Sequence, residues 1–175
     1  MFVLIIGGSA SGKSAFAEEV SQKLGGRKLY AATMQPFDAE CERRIARHRE
    51  MRREKAFETW EIYRGLQTAE IPGKYDTILL ECLSNLLANE MYGPEGWQKG
   101  DLVSRILDGM QRLWDAAPNL VVVSNEVFQD GDRYHPETLQ YMEFLGEINR
   151  RLAAKADLVA EVVCGVPIFH KGEWK

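Results

Sequence analysis

The chain has 175 residues, of which 45% are hydrophobic and 27% charged, and its formal net charge is −4. That length and balance suit one soluble α/β-sized domain with a substantial core, and exclude a disordered chain. The acidic balance argues against general nucleic-acid binding, and no apolar run approaches the ~18 residues that a membrane span requires.

Phe2 to Ile6 reads as a short buried strand. It has no basic segment before it and runs directly into Gly7-Gly8-Ser9-Ala10-Ser11-Gly12-Lys13-Ser14, so it is not expected to be a signal peptide. Helix formers follow, with Phe16, Val20 and Leu24 spaced as one buried stripe. Gly25-Gly26 ends that helix, and Lys28 to Thr33 reads as a second strand. A charged helix is predicted over about Asp38 to Lys55, a short strand over Thr59 to Tyr63, and a turn at Ile71-Pro72-Gly73. Thr77 to Leu80 is a continuous apolar run, as in a parallel strand covered on both faces, and it ends at Glu81.

Helices are predicted over Ser84 to Tyr92 and Leu102 to Ala116, the second with Leu102, Ile106 and Leu113 inward. Leu120 to Ser124 reads as a strand and Asp130 to His135 as a polar loop. Pro136 opens a long helix through Ala156 that carries Leu139, Met142, Leu145, Ile148 and Leu152 on its inner face. Leu158 to Val163 is the last predicted strand, and Gly165-Val166-Pro167 turns into a short tail. Strands alternating with helices predict a single-domain α/β fold over 1–175, with a mainly parallel sheet flanked by helices. Cys41, Cys82 and Cys164 are odd in number and widely spaced, and read as reduced, mostly buried thiols of a cytoplasmic protein.

The octet Gly7–Ser14 matches the phosphate-binding pattern G-x-x-x-x-G-K-[ST] in the required strand-to-helix context. Its glycines allow backbone N–H groups to surround phosphate oxygens at a helix N-terminus. Lys13 would reach the β- and γ-phosphates, and Ser14 would be a Mg²⁺ ligand. Glu81, at the carboxyl end of its strand, is placed to hold Mg²⁺ directly or through water. The plainer reading of Glu81 is a solvated strand end.

Arg43 to Lys55 holds seven basic and two acidic residues, a local +5 in a chain of net −4. Arg44, His48 and Arg52 share one helical face, near Phe37, Cys41, Ile45 and Met51. Two readings stand at this point. One is a solvated basic helix with a packed histidine; the other is a triphosphate-binding face that presents an imidazole to phosphorus. Facing the loop, the arginines would disfavour imidazolium and stabilise charge on a transferring phosphate. His135 and His170 read as surface residues without an evident partner, and Asp130, Asp132 and Glu137 as solvated.

Taken together, GGSASGKS at Gly7, YAATM at Tyr30, RIARHR at Arg44, TWE at Thr59, LLECLSNLLAN at Leu79, VVVSNEV at Val121 and INRRLA at Ile148 carry a family resemblance over nearly the whole chain. The chain is similar to the bifunctional adenosylcobinamide kinase / adenosylcobinamide-phosphate guanylyltransferases of cobalamin biosynthesis. The resemblance implies a single RecA-like phosphate-loop domain that uses GTP and ATP as substrates, with Mg²⁺. It implies phosphorylation of adenosylcobinamide, then transfer of GMP from GTP to adenosylcobinamide phosphate through a covalent guanylyl-histidine at His48. By the same matching, Gly7, Gly8, Ser9, Ala10, Ser11, Gly12, Lys13, Ser14, Ala32, Thr33, Met34, Arg49, Glu50, Met51, Arg52, Glu61 and Glu81 bind nucleotide. A homotrimer is also implied. The chain departs from the family pattern in having Phe57 for a usual Trp, a longer polar stretch over Phe128–Pro136, different residues around Leu139, Met142 and Glu143, and Arg150 after Asn149. The competing readings are a small-molecule kinase without guanylyl transfer and a non-catalytic nucleotide-binding regulatory module.

Overall fold

The computed structural model describes residues 1–36, 39, 42–43, 45–46, 50, 55–93, 101–127 and 134–174. Seven strands form one sheet: β1 (Phe2–Ile6), β2 (Lys28–Ala32), β3 (Phe57–Glu61), β4 (Thr77–Leu80), β5 (Asn119–Val123), β6 (Leu158–Val163) and β7 (Val166–Lys171). Their spatial order is β3-β2-β4-β5-β1-β6-β7, and every pairing is parallel except β6 with β7. The helices are α1 (Lys13–Leu24), α2 (Leu83–Met91), α3 (Leu102–Ala116) and α4 (Pro136–Lys155). Residues 39, 42–43, 45–46 and 50 are also helical.

Strand alternation sorts the core into two layers. Phe2, Leu4, Leu29, Ala31, Ile78, Leu80, Leu120 and Val122 point towards the α2–α4 side, where they meet Leu83, Leu87, Ile106, Leu113, Ile148 and Leu152. Val3, Ile5, Tyr30, Leu79, Val121, Val123 and Val162 point the other way, onto Ala17 and Val20 of α1. Such two-sided burial is why the β1, β4 and β5 sequences are unbroken apolar runs. At ~25 cal/mol per Å² of apolar area, layers like these supply most of the drive to fold.

Several elements differ from the sequence reading in informative ways. The buried face of α1 is centred on Ala17, Val20 and Ser21, with Phe16 and Leu24 at its half-buried margins, because the small side chains let α1 lie close to the sheet. Strand β3 runs from Phe57 to Glu61 rather than from Thr59 to Tyr63; Phe57 packs edge-on against Tyr30 at 5.9 Å, and that contact starts the strand early. In α4, Leu145, Ile148 and Leu152 are buried, but Leu139 is 40% exposed and Met142 only half-buried, since the first turns of α4 extend past the layer it covers. The tail is not a loop: Val166–Lys171 folds back as the antiparallel edge strand β7. Within it His170 acquires a partner, with Nε2 2.8 Å from Glu161 Oε2 across the hairpin. Cys164, expected to be buried, is exposed in the β6–β7 turn, while Cys82 is half-buried. The predicted 38–55 helix and the polar loop 130–135 fall largely outside the described residues.

Candidate active site

The phosphate loop leaves the carboxyl end of β1, which lies between β5 and β6 near the middle of the sheet. A Cβ on Gly7 would stand 2.7 Å from both Val162 O and Ser11 Oγ, so only glycine fits between β6 and the loop. Gly12 has φ +95° as the N-cap of α1, and a Cβ there would be 3.1 Å from Gly165 Cα. No side chain caps α1, so its first-turn N–H groups point into the loop, the arrangement that receives phosphate oxygens. Ser11 N donates to Gly8 O at 3.3 Å and Phe16 N to Gly12 O at 3.1 Å. Ser9 and the positive-φ Ala10 are exposed at the loop tip, and Ser14 is half-buried in the first helical turn. Lys13 is buried, with Nζ donating to Gly8 O at 2.9 Å, which holds the ammonium over the loop.

The end of β4 carries a buried acid. Glu81 closes β4 with its carboxylate buried: Oε1 accepts from Tyr30 OH at 3.0 Å, and Oε2 accepts from Thr33 N at 2.9 Å and Met34 N at 3.1 Å. Burial pushes the thiol of the adjacent Cys82 up, while hydrogen bonds from Ser84 and the Asn85 backbone, together with the Lys13 charge, pull it down.

The loop after β2 is gripped from several sides. Besides the bonds to Glu81, Thr33 Oγ1 donates to Cys82 O at 2.8 Å, and Asn89 Nδ2 of α2 donates to both Thr33 O and Tyr63 O. Thr33 is thus fully buried, holding the loop, and does not reach the cavity beside it.

That cavity measures about 790 Å³ and opens between the carboxyl ends of β2 and β3 and the helical residues Glu42, Ile45, Ala46 and Glu50. It brings together Ala32, Met34, Glu50, Glu61 and Glu81, five of the residues expected to bind nucleotide, and adds Thr59 and Tyr63. Thr59 could have been found by stepping two residues back from Glu61 along the same strand face. The loop residues Gly7–Ser14 are not among its described walls. His48, Arg49, Met51 and Arg52, with Arg44, lie outside the described residues.

Sequence reasoning missed a polar relay at the end of β5. Ser124 N donates to Ile5 O and Glu126 N to Gly7 O, which extends the β1–β5 ladder into the phosphate loop. Ser124 Oγ donates to Asn149 Oδ1 at 2.7 Å, and Asn125 Nδ2 to Ser84 Oγ at 2.6 Å. Tyr141 OH donates to Ser84 O at 3.2 Å. The available signal was a cluster of polar residues at the ends of strands that are otherwise wholly apolar.

A phosphate loop on an inner strand of a parallel sheet, with an acid on β4 and β5 interposed between β4 and β1, defines a RecA-like nucleotide-binding protein. A KaiC-like protein of Pyrococcus horikoshii OT3 shares the architecture, with TM-score 0.50 and 11% identity over 91% of this chain and 69% of that one. The family model described as cobinamide kinase / cobinamide phosphate guanyltransferase matches residues 3–169, and the chain belongs to that family. It is 33% identical to the bifunctional adenosylcobalamin biosynthesis protein CobU of Salmonella typhimurium, over 98% of this chain and 100% of that protein. The Escherichia coli protein of the same name is 32% identical with the same coverage.

Proposed function

We propose that the chain phosphorylates adenosylcobinamide with ATP or GTP, and then moves GMP from GTP onto the new phosphate through a guanylyl-His48 intermediate. What supports this reading is the 790 Å³ cavity, which gathers Ala32, Met34, Glu50, Glu61 and Glu81, five of the residues expected to bind nucleotide, beside Glu42, Ile45 and Ala46.

In the kinase step, the substrate hydroxyl oxygen bonds to the γ-phosphorus and the bond to the β-phosphate oxygen breaks, leaving a nucleoside diphosphate. The uncapped N-terminus of α1 and Lys13 stabilise the charge that moves onto the leaving oxygen. In the guanylyl step, an imidazole nitrogen of His48 bonds to the α-phosphorus of GTP and pyrophosphate leaves. An oxygen of adenosylcobinamide phosphate then displaces the histidine, forming adenosylcobinamide-GDP and freeing the imidazole. Covalent catalysis divides one transfer between two bulky substrates into two smaller ones.

Ser14 and Glu81 offer hard oxygen donors suited to Mg²⁺. Three of the roughly four lone-pair sites of Glu81 are used by described partners, which leaves one on Oε1. Among the described residues no group of three or more His, Cys, Asp or Glu is arranged to hold a metal ion. Bound there, Mg²⁺ would neutralise phosphate charge. Both steps are assigned to one domain of a cytoplasmic homotrimer; among the described residues no helix is long and apolar enough to cross a membrane.

The test is covalent labelling. With GTP labelled at the α-phosphate, the denatured protein should retain label that survives base and is lost in acid, and His48→Ala should carry none. Lys13→Ala should slow γ-phosphate transfer to cobinamide by at least ~100-fold. Kinase activity without any label would favour the plain small-molecule kinase.

A further inference from the structure

The polar relay at the end of β5 fixes one side chain beyond what the fold requires. Asn125 is half-buried, and its Nδ2 donates to Ser84 Oγ at 2.6 Å and lies 3.9 Å from Cys82 Sγ. Ser84, in the first turn of α2, is 2% exposed, and its carbonyl accepts from Tyr141 OH. The Asn125 backbone is held from α4: Asn149 Nδ2 donates to Asn125 O at 3.4 Å, and Asn149 Oδ1 accepts from Ser124 Oγ. Among the described residues nothing donates to Asn125 Oδ1, the other arm of the same planar amide, and solvent reaches it. One arm of the amide is therefore spent on orientation and the other is left as an aimed acceptor.

The strand end places that acceptor. β5 lies between β4, which ends at Glu81, and β1, which feeds the phosphate loop. Glu126 N donates to Gly7 O at 3.1 Å, so Asn125 is one residue from the base of the loop. On its other side the Cys82 thiol feels the Lys13 charge. Ligands of open α/β sheets collect beyond these carboxyl ends.

We propose that Asn125 Oδ1 accepts the hydrogen bond of the alcohol that takes the γ-phosphate, with Ser84 as the positioning residue that aims it; this rests on the kinase step proposed above. An acceptor-only atom selects an O–H donor and is repelled by a phosphate oxygen, so it serves the kinase step and not guanylyl transfer, whose acceptor is a phosphate. Holding the O–H turns an oxygen lone pair towards the γ-phosphorus. The C–O–P bond then forms as the bond from that phosphorus to the β-phosphate oxygen breaks. An amide oxygen is too weak a base to keep the hydroxyl proton, which passes to an oxygen of the transferred phosphoryl group and from there to water. Phosphoryl transfer depends mainly on such positioning, and an uncharged acceptor orients the alcohol without repelling the triphosphate.

The experiment measures γ-phosphate transfer to cobinamide at saturating GTP, affinity for a fluorescent GTP analogue, and protein labelling by α-labelled GTP, all on the full chain. Asn125→Ala should lower kcat/KM for cobinamide by at least ~10-fold, mostly in kcat, while analogue affinity and labelling stay within about 2-fold. Ser84→Ala, which frees the amide, should lose about 3- to 10-fold in the same parameter. Asn125→Asp keeps an acceptor oxygen and lets Ser84 donate to it, so it should transfer at least ~5-fold faster than Asn125→Ala. If Asn125→Ala does not fold, Ser84→Ala decides. Undiminished transfer, equal losses of transfer and analogue affinity, or an Asn125→Asp no better than Asn125→Ala overturns the assignment alone. No transfer to cobinamide by the unaltered chain overturns the kinase step and the assignment with it.

Discussion

Gly12 concentrates several demands in one residue. Its φ of +95° is strained for any side chain, and a Cβ would press to 3.1 Å on the backbone of Gly165, which cannot swing aside as a flexible side chain would. Gly12→Ala should therefore shift the whole β6–β7 turn or the loop, and weaken a fluorescent GTP analogue by at least ~10-fold; unchanged affinity would show that the loop tolerates a Cβ. The motif alone pointed to this glycine, to Lys13 and to Ser14. Glu81 was also readable, because an acid closing an apolar strand is conspicuous. Its main bonds were not, since Thr33 and Met34 lie 48 and 47 residues away in sequence and come near only through the β2–β4 pairing. Thr33, assigned to nucleotide binding by the family resemblance, bonds Glu81, Cys82 O and Asn89 through its backbone and side chain, partners equally distant in sequence.

At the scale of elements, hydrophobic pattern was informative for β4 and β5, buried on both faces, and for α3, which buries one face. It failed for β7, whose pattern is nearly all exposed and which includes Pro167, a residue tolerated in sheets at their edges. The β6–β7 turn places Cys164 at φ +51° and Gly165 at φ +81°, the paired left-handed geometry of a tight hairpin. Asparagine tolerates that conformation better than cysteine does, so Cys164→Asn should stabilise the protein by about 0.5 kcal/mol and raise its melting temperature slightly. A lower melting temperature would contradict the turn assignment. On the opposite face, Tyr141 docks α4 on α2, and burial pushes its phenol from the usual 10 up to about 12, against the opposing Ser84 bond. Folding therefore favours the protonated phenol. Its contribution is whole below pH 10 and is lost as the pH rises towards about 12. Tyr141→Phe should lower stability at neutral pH by roughly 0.5–1.5 kcal/mol and flatten the alkaline decline, as read by urea unfolding across that range.

For the molecule as a whole, alternation of apolar strands and helices was enough to anticipate a parallel sheet with two covered faces, and the motifs in series were enough to anticipate the family. Strand order was not readable, because β5 enters between β1 and β4 through side-chain packing that no local period records. The proposed trimer is a prediction at this scale, supported by apolar side chains left exposed on the hairpin, Val166 and Ile168 among them. Equilibrium sedimentation should give about three times the 19.9 kDa chain mass, and a monomer mass would overturn it.

The place of β1 has a consequence for biosynthesis. Both strands that bracket β1, β5 and β6, come after it in the chain, and the loop that follows β1 accepts a hydrogen bond from Gly165 N at Ser11 O, 2.8 Å. On the ribosome, where domains fold as their chain emerges, the nucleotide motif is synthesised before its second neighbour strand and its buttress, and lacks both until Gly165 has emerged. Nucleotide binding is thereby a late property of the nascent protein, and chains cut short before the hairpin carry the motif without the site.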